Sequence, residues 1–461
     1  MKPSTIAAIA TPPGRGGIGV VKISGRHAVT AAVSLFRPKG AAAALPDSSW
    51  RPCSRYFYYG HVMDPDKGDI LDEAMCVIMR SPSSYTGEDV AEIQTHGGPQ
   101  ILHTILELLA QRGVEMARPG EFTKRAFLNG RVDLSQAEAV MDMIEASTAQ
   151  AAGLAAKQLT GGLRTTVQSL RQDLLHLIAQ MEAAIDFPEE ADGISKRILS
   201  GRIEERLLQP VNQLLEHYAS ARFYREGFRI VIAGRPNVGK SSLMNCLLGR
   251  ERAIVTDQPG TTRDMVEDRF SVNGLPVIIA DTAGIHDQAG PVERIGIDIA
   301  LKEIESADLI LLMLDASQPF QDAALSFLHQ ISSLPVLLVL NKTDLAHRLL
   351  LPSKLASFPQ VSISAKYHTG IDRLKEQIAA FAGTGTDAAG DAVVPNLRHK
   401  QALEKVSASA AEACAALKAE QPEEAVLVDL YEALSGLDEI TGASLKPDIL
   451  DRIFNQFCIG K

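Results

Sequence analysis

The sequence predicts a fold of mixed α/β and α class. An α/β block is inserted into a discontinuous helical domain, and a separate α+β or α/β domain precedes both. Three observations lead there. Between residues 222 and 383, short apolar runs of buried-strand type alternate with helical stretches. On either side of that block Ala, Leu, Gln, Glu and Arg dominate, with apolar residues recurring every three or four positions. Ahead of both, strand-like runs are separated by Gly, Pro and Ser turns.

Residues 1–120 carry the strand-like "IGVVKIS" and "EAMCVIM", the turns "SPSSYTGED" and "HGGPQ", and a helix, "ILHTILELLAQRG", that stops at Gly113. Residues 121–221 form the first part of the helical domain. There "LSQAEAVMDMIEASTAQAAGLAAKQL" predicts one long amphipathic helix with Asp133 or Ser135 as its cap, and breaks fall at "LTGGL" and "DFPEEADG". In residues 222–383 the runs "FRIVIAG", "PVIIADT", "LILLMLD", "PVLLVLN" and "QVSISA" predict a mainly parallel sheet covered on both faces. The small-residue linker "AGTGTDAAGDA" leads into the second helical part, residues 384–461. Each helical part alone is short for a stable core, so the two are expected to pack together, the alternative being two separate helical domains.

A chain of 461 residues is too long for one core, and about three domains are expected. Its 46% hydrophobic and 22% charged residues are those of a soluble globular protein. A net charge of -10 excludes a blanket basic surface for nucleic acid. A local cluster such as Arg118, Lys124, Arg125 and Arg131 can still act against that sign, or be no more than solvated charge. The five cysteines (Cys53, Cys76, Cys246, Cys414, Cys458) are widely spaced without C-x-x-C, which argues for a reducing compartment and against a disulfide scaffold or zinc site. The apolar "IAAIA" is too short for a signal-peptide core, and no apolar run approaches the ~20 residues that span a bilayer. The expectation is a cytoplasmic protein with no membrane role.

The chemistry lies in an ordered set of motifs, each at a strand end. "GRPNVGKS" fits G-x-x-x-x-G-K-[ST] between a strand and a helix. Its Asn237, Val238, Gly239, Lys240 and Ser241, with Ser242, would cradle phosphates. Lys240 would reach the β- and γ-phosphates, and the Ser241 hydroxyl would ligate Mg2+. "TDQPGTT" supplies Thr256, Asp257, Gln258, Pro259, Gly260, Thr261 and Thr262, and a threonine of this pair suits Mg2+ and the γ-phosphate. "DTAG" supplies Asp281, Thr282, Ala283 and Gly284. "NKTD" supplies Asn341, Lys342 and Asp344, and "SAK" supplies Ser364, Ala365 and Lys366. An Asp carboxylate accepts from guanine N1–H and its exocyclic amine. Adenine would leave that acceptor unpaired, so the nucleotide is guanine.

One position breaks the pattern. The residue after D-T-A-G, where many such enzymes carry a water-holding glutamine, is Ile285, which has no hydrogen-bonding atom. His286, Asp287, Gln288 and Glu293 follow. By residue type alone Glu293 reads as a first-turn carboxylate facing a helix dipole. Arg263 beside Asp264 reads as a surface ion pair, so no arginine finger is evident.

Four stretches outside these motifs complete a resemblance: "ATPPGRGGIGVVKISG", "SYTGEDVAEIQTHGGP", "RPGEFTKRAFLNGRVDLSQAEAV" and the C-terminal "FCIGK". With the nucleotide motifs, they make the full chain resemble the MnmE (TrmE) family of tRNA-modification GTPases. The resemblance implies a tetrahydrofolate-binding-like N-terminal domain that also dimerises, and a Ras-like P-loop G domain. It implies that Glu293, in V-E-R-I-G, is the catalytic carboxylate and orients the attacking water through a second water. It implies K+ in place of an arginine finger, where two G domains meet, with Asn237, Thr256, Gln258 and Thr261 as ligands. Gln258 departs from the family's isoleucine, a change that matters little if the ligand is a main-chain carbonyl. Ser241 and Thr262 would hold Mg2+. Folate contacts carry over to Lys22, Glu92, Arg131 and Lys461, with Lys22 and Arg131 each exchanging one basic type for the other. Cys458 is a candidate nucleophile or a small apolar anchor.

The implied activity is a potassium-dependent GTPase. With an FAD-containing MnmG partner, in a heterotetramer or larger, it adds a carboxymethylaminomethyl or aminomethyl group at C5 of the wobble uridine of certain tRNAs. The carbon would come from 5,10-methylene- or 5-formyl-tetrahydrofolate, and the chain would act as a homodimer. The rival is a ribosome-assembly or signalling GTPase that modifies nothing. A third reading is a folate enzyme with a regulatory GTPase.

Overall fold

The computed structural model describes residues 4–39, 50–187, 196–251, 268–280, 306–320, 334–383 and 395–461. The chain divides into two compact units, one running up to Met141 and resuming at Asp438–Lys461, the other holding most of the intervening residues.

The first unit is built on a seven-stranded sheet: β1 (Ile6–Ile9), β2 (Gly16–Ser24), β3 (Phe36–Pro38), β4 (Phe57–Met63), β5 (Ile70–Met79), β6 (Val90–Gly97) and β7 (Glu115–Met116), in spatial order β3-β4-β5-β6-β2-β1-β7. All neighbours are antiparallel except β1 and β7. The domain is therefore α+β, the first of the two expected classes. Alternate residues Ala7, Val21, Ile23, Cys76 and Ile93 face a core closed by α1 (Ala28–Leu35) and α2 (Pro99–Gln111). The short helix α3 (Glu121–Leu128) and the start of α4 (Leu134–Glu145) complete the unit's first segment.

The chain's last residues return to this unit. Leu134 and Ala137 pack with Leu450, Phe454 and Phe457, the first two of these from the short terminal helix Pro447–Phe454. Gly120 takes φ +64, and a Cβ there would lie 2.5 Å from the Phe454 carbonyl oxygen, so only glycine permits this approach. The Phe122 N–H donates to the Lys461 carbonyl at 3.1 Å.

The single long helix expected after Asp133 is two helices, α4 and α5 (Ala149–Leu159). Thr148 breaks it: its backbone is extended and its hydroxyl accepts from the Ala151 N–H at 3.2 Å. The apolar period survives this interruption, which is why pattern alone reads straight through it. Of the two possible caps for α4, Asp133 accepts the Gln136 N–H at 2.9 Å, while Ser135 donates its hydroxyl to the same carboxylate.

In the second unit α6 (Gly162–Asp186) packs with α5 and α7 (Lys196–Ile203), and α7 and α8 (Gln209–Glu226) pack with the helix Leu397–Lys418, which follows the inserted block as does the helix Glu423–Thr441. The Ser407 hydroxyl donates to Asn212 at 2.9 Å, and Lys196 donates to the Gln421 carbonyl at 2.8 Å. The helical domain is thus discontinuous. Glu204–Leu208, a π-turn, joins α7 to α8.

The inserted block is a six-stranded sheet in order β13-β12-β11-β8-β10-β9. Strands β8 (Phe228–Gly234), β10 (Leu275–Ala280), β11 (Leu309–Asp315), β12 (Val336–Asn341) and β13 (Gln360–Ser362) are parallel, and only β9 (Asp268–Val272) runs against its neighbour β10. That is the Ras-like order. Ile230, Ile232, Leu311 and Val339 pack on one face, while Val231, Ala233, Leu312 and Leu338 pack on the other. Burial of both faces explains the near-continuous apolar runs. The antiparallel edge strand was not among the expected strands. Its signal is Asn273-Gly274, with φ +52 and +83, a two-residue hairpin turn. No helix among the described residues is long and apolar enough to cross a membrane.

Candidate functional site

The phosphate loop lies between β8 and α9 (Lys240–Glu251). Three of its residues have positive φ: Gly234 (+150), Asn237 (+66) and Gly239 (+104). Such a backbone turns successive N–H groups towards one point, the arrangement that receives phosphate. The Lys240 ammonium donates back to the Gly234 and Arg235 carbonyls at 2.9 and 3.1 Å. Ser241 and Ser242 are exposed in the first turn of α9, while Val238 is buried beneath the loop.

The motif at the end of β12 is joined to this loop by one side chain. Asn341, 3% exposed, donates from Nδ2 to the Val238 carbonyl at 2.8 Å and accepts the Ala365 N–H on Oδ1 at 3.0 Å. Its amide fills the space that a Cβ on Gly239 would take. The same residue therefore fixes the phosphate loop and the "SAK" loop. Sequence spacing identified Asn341 but not this bridging geometry.

The base-side loop is held by further side-chain bonds. The Ser364 hydroxyl donates to Asp344 Oδ1 at 2.6 Å, and the Thr343 hydroxyl donates to the Ile363 carbonyl at 3.0 Å. Ser364 and Thr369 exchange backbone hydrogen bonds at 3.0 and 3.2 Å, closing the loop. Lys342 has φ +64 and its ammonium lies 2.7 Å from Asp315 Oδ2 at the end of β11. Burial raises the Asp315 carboxyl, but Lys342 and the Ser317 hydroxyl and N–H outweigh it and hold the group below its ordinary value. Asp315 was missed from sequence because an Asp ending a strand has no motif of its own. Lys366 lies exposed beside Tyr367, its ammonium 5.0 Å from the ring centroid.

The remaining nucleotide calls (Thr256, Asp257, Gln258, Pro259, Gly260, Thr261, Thr262, Asp281, Thr282, Ala283 and Gly284) and Glu293 lie outside the described residues.

In the first unit Lys22 of β2 stands opposite Glu92 of β6. Its ammonium is 5.1 Å from the Tyr85 ring centroid and 5.3 Å from that of Phe122. Burial lowers the Lys22 amine; the Glu92 carboxylate opposes that shift and the nearby Lys461 adds to it. Lys22, Glu92 and Lys461 thus share one electrostatic environment. Arg131 instead lies with its stem against Gly87, whose φ is +78. Tyr85 and Phe122 were present in the motif stretches but not singled out, because aromatic side chains read from sequence as core. The half-buried Cys458 accepts on its carbonyl from the Gly120 and Lys461 N–H groups, both at 3.4 Å.

A family model described as the GTP-binding protein TrmE N-terminus matches residues 5–131, and one described as the MnmE helical domain matches residues 134–458. The chain is 42% identical over 469 residues to a tRNA modification GTPase MnmE of Carboxydothermus hydrogenoformans, covering 100% of both chains. It is 42% identical over 466 residues to that of Natranaerobius thermophilus and over 465 residues to that of Syntrophus aciditrophicus, again at 100% of each chain. Motif order, sheet order and full-length similarity agree, and the chain belongs to the MnmE family.

Proposed function

We propose that this MnmE-family chain, a GTP hydrolase acting in tRNA modification, cleaves GTP in a potassium-dependent reaction. With an FAD-containing MnmG partner it adds a carboxymethylaminomethyl or aminomethyl group at C5 of a tRNA wobble uridine. The observation that carries the nucleotide reading is the Asn341 bridge, which makes phosphate loop and base loop one site. Lys240 binds the β- and γ-phosphates once it leaves the loop carbonyls, and Asp344 reads the guanine edge while Ser364 orients its carboxylate.

The phosphate loop fits a nucleotide: its left-handed backbone is set and the Gly239 position admits no side chain. Ser241 and Thr262 would hold Mg2+, and Asn237, Thr256, Gln258 and Thr261 would hold K+. Fixed cations there offset charge that develops between the β- and γ-phosphates. Glu293 orients the water, a role that Ile285 has no atom to fill.

In the N-terminal domain Lys22, Glu92, Arg131 and Lys461 bind the tetrahydrofolate derivative that donates the carbon. The partly buried Tyr85 ring beside Lys22 supports this reading, since it offers an apolar face next to mixed charge. The homodimer forms through this domain. In support, the sheet face opposite α1 and α2 carries the exposed Phe57 and Tyr59. The working division is residues 1–120 for folate and dimerisation, 121–221 and 384–461 for the helical domain, and 222–383 for the G domain.

Steady-state hydrolysis in K+ against Na+ tests the reading. Turnover should fall strongly in Na+, and Glu293→Ala should bind GTP without turning it over. Full-rate hydrolysis in the absence of alkali cation overturns the potassium role. Titration with 5-formyltetrahydrofolate tests the other domain, and failure to bind favours a GTPase switch that modifies nothing. Nucleoside mass spectrometry of tRNA from a deletion strain reads the modification itself.

A further inference from the structure

The strand between the two nucleotide loops ends in a carboxylate that none of the sequence motifs contains. β11 lies between β8, which leads into the phosphate loop, and β12, which leads into the base-side motif. Its last residue, Asp315, is in register with Asn341, the last residue of β12. Lys342 follows with φ +64, a left-handed backbone that a side chain disfavours and that surrounding contacts must hold. Its ammonium donates to Asp315 Oδ2 at 2.7 Å. The other oxygen, Oδ1, accepts the Ser317 hydroxyl at 2.6 Å and the Ser317 N–H at 2.9 Å. The turn carrying Ser317 is itself tied down. The Ala316 N–H donates to the Asn341 carbonyl at 2.8 Å, and the Ala316 carbonyl accepts the Arg348 N–H at 2.9 Å. Asp315 is thus oriented by fixed neighbours, with 13% of its side chain exposed against 32% for Lys342. With its backbone past the end of β12 and its ammonium on the end of β11, the lysine stem crosses the carboxyl edge of the sheet. That is the edge at which open α/β sheets bind ligands.

We propose that Asp315 is a positioning residue of the nucleotide site: it holds the Lys342 stem as a fixed ledge for the face of the guanine ring. The methylene stem supplies apolar surface to a planar ring, while Asp344 reads the ring's edge. An untethered lysine stem samples many rotamers, and ordering it only when the ligand binds weakens the complex by that cost. The ion pair removes the cost in advance. The proposal rests on the guanine reading of Asp344.

The test uses the full chain, unsubstituted and as Asp315→Asn, Lys342→Met and the double variant. Asparagine keeps its carbonyl for the Ser317 donors and turns its NH2 towards the Lys342 ammonium, so the pair is lost with little change of shape. Methionine keeps most of the stem without the charge. GDP affinity should fall roughly five- to tenfold in Asp315→Asn, the scale of ordering one long side chain on binding. Lys342→Met should lose a similar factor, and adding Asp315→Asn to it should change affinity by less than about twofold. A ring face carries no edge code, so IDP, which lacks the 2-amine, should lose the same factor as GDP in Asp315→Asn. A carboxylate that merely stabilised the strand end would lower affinity as much in the Lys342→Met chain as in the unsubstituted one, and that result overturns the proposal. So does undiminished GDP affinity in Asp315→Asn, or a loss for GDP that IDP does not share. Lys342→Met breaks the same pair from its more exposed side, so undiminished affinity there overturns the proposal even if Asp315→Asn fails to fold. If the unsubstituted chain binds no GDP, the guanine reading falls and the proposal with it; binding without these effects defeats the proposal alone.

Discussion

Replacing Asp344 by asparagine should turn a guanine site into a xanthine site. In the structure the Ser364 hydroxyl donates to Asp344 Oδ1 at 2.6 Å, which orients the carboxylate and leaves each oxygen a lone pair for a base. Guanine would donate to it from N1–H and from the 2-amine. Hydrogen bonds to a charged group contribute about 1.5–3 kcal/mol each. Asparagine keeps one neutral acceptor and sets its NH2 against the guanine amine, a donor facing a donor. Losing one such bond and weakening the other costs about 3–5 kcal/mol. At 1.4 kcal/mol per tenfold, GDP affinity should fall by roughly two to three and a half orders of magnitude. Xanthine has a carbonyl in place of the amine, accepts from the new NH2 and recovers most of the loss. The Ser364 hydroxyl can donate or accept, so its contact survives the exchange. Competition between fluorescent GDP and XDP measures both changes. A variant that keeps GDP affinity within threefold of the unsubstituted chain, or gains nothing for XDP, refutes the assignment of Asp344 to the base edge.

Three further outcomes follow from the geometry. Asn341→Ala removes two buried hydrogen bonds and strands the Val238 carbonyl and Ala365 N–H. It should cost about 2–4 kcal/mol in chemical denaturation and weaken GDP binding at the same time; a loss of stability without weaker binding would contradict the bridge. Gly120→Ala places a Cβ 2.5 Å from the Phe454 carbonyl oxygen in a left-handed backbone, so the C-terminal residues should become sensitive to carboxypeptidase, with folate binding reduced. The Asp72 carboxylate, hydrogen-bonded to His96 Nδ1 at 2.8 Å, raises that imidazole above its ordinary value. Its stabilising contribution is full below the unfolded value of ~6.5 and is lost as pH rises through the higher folded value. An NMR titration should show that elevation in the unsubstituted chain and its loss in Asp72→Asn.

Much of the inserted domain was legible before any coordinates. Its five parallel strands are apolar runs because both faces are buried, and its motifs occur where such strands end. The edge strand β9 was not legible as an apolar run, since it is only half buried and reads "DRFSV". Of the seven N-terminal strands, β2 and β5 were recognised from "IGVVKIS" and "EAMCVIM", but not the others or the antiparallel order, because pairing between distant segments has no local code. Nor was the break at Thr148 visible, because the apolar period continues through it while the hydroxyl quietly captures a backbone N–H.

What the sequence determined alone is the chemical inventory: a Gly-rich phosphate-loop motif, the carboxylate of Asp344 in N-K-T-D, an isoleucine where glutamine is common, and a basic residue type at Lys22. These depend on residue type and short spacing, which covalent connectivity preserves. Only the tertiary structure decided which distant groups meet. It seated Asn341 between two loops, set Lys22 beside two aromatic rings and near Lys461, and laid His368 against Cys246. Hydrogen bonds, desolvation and charge effects act over a few ångströms of space, and separation along the chain carries almost no information about that distance.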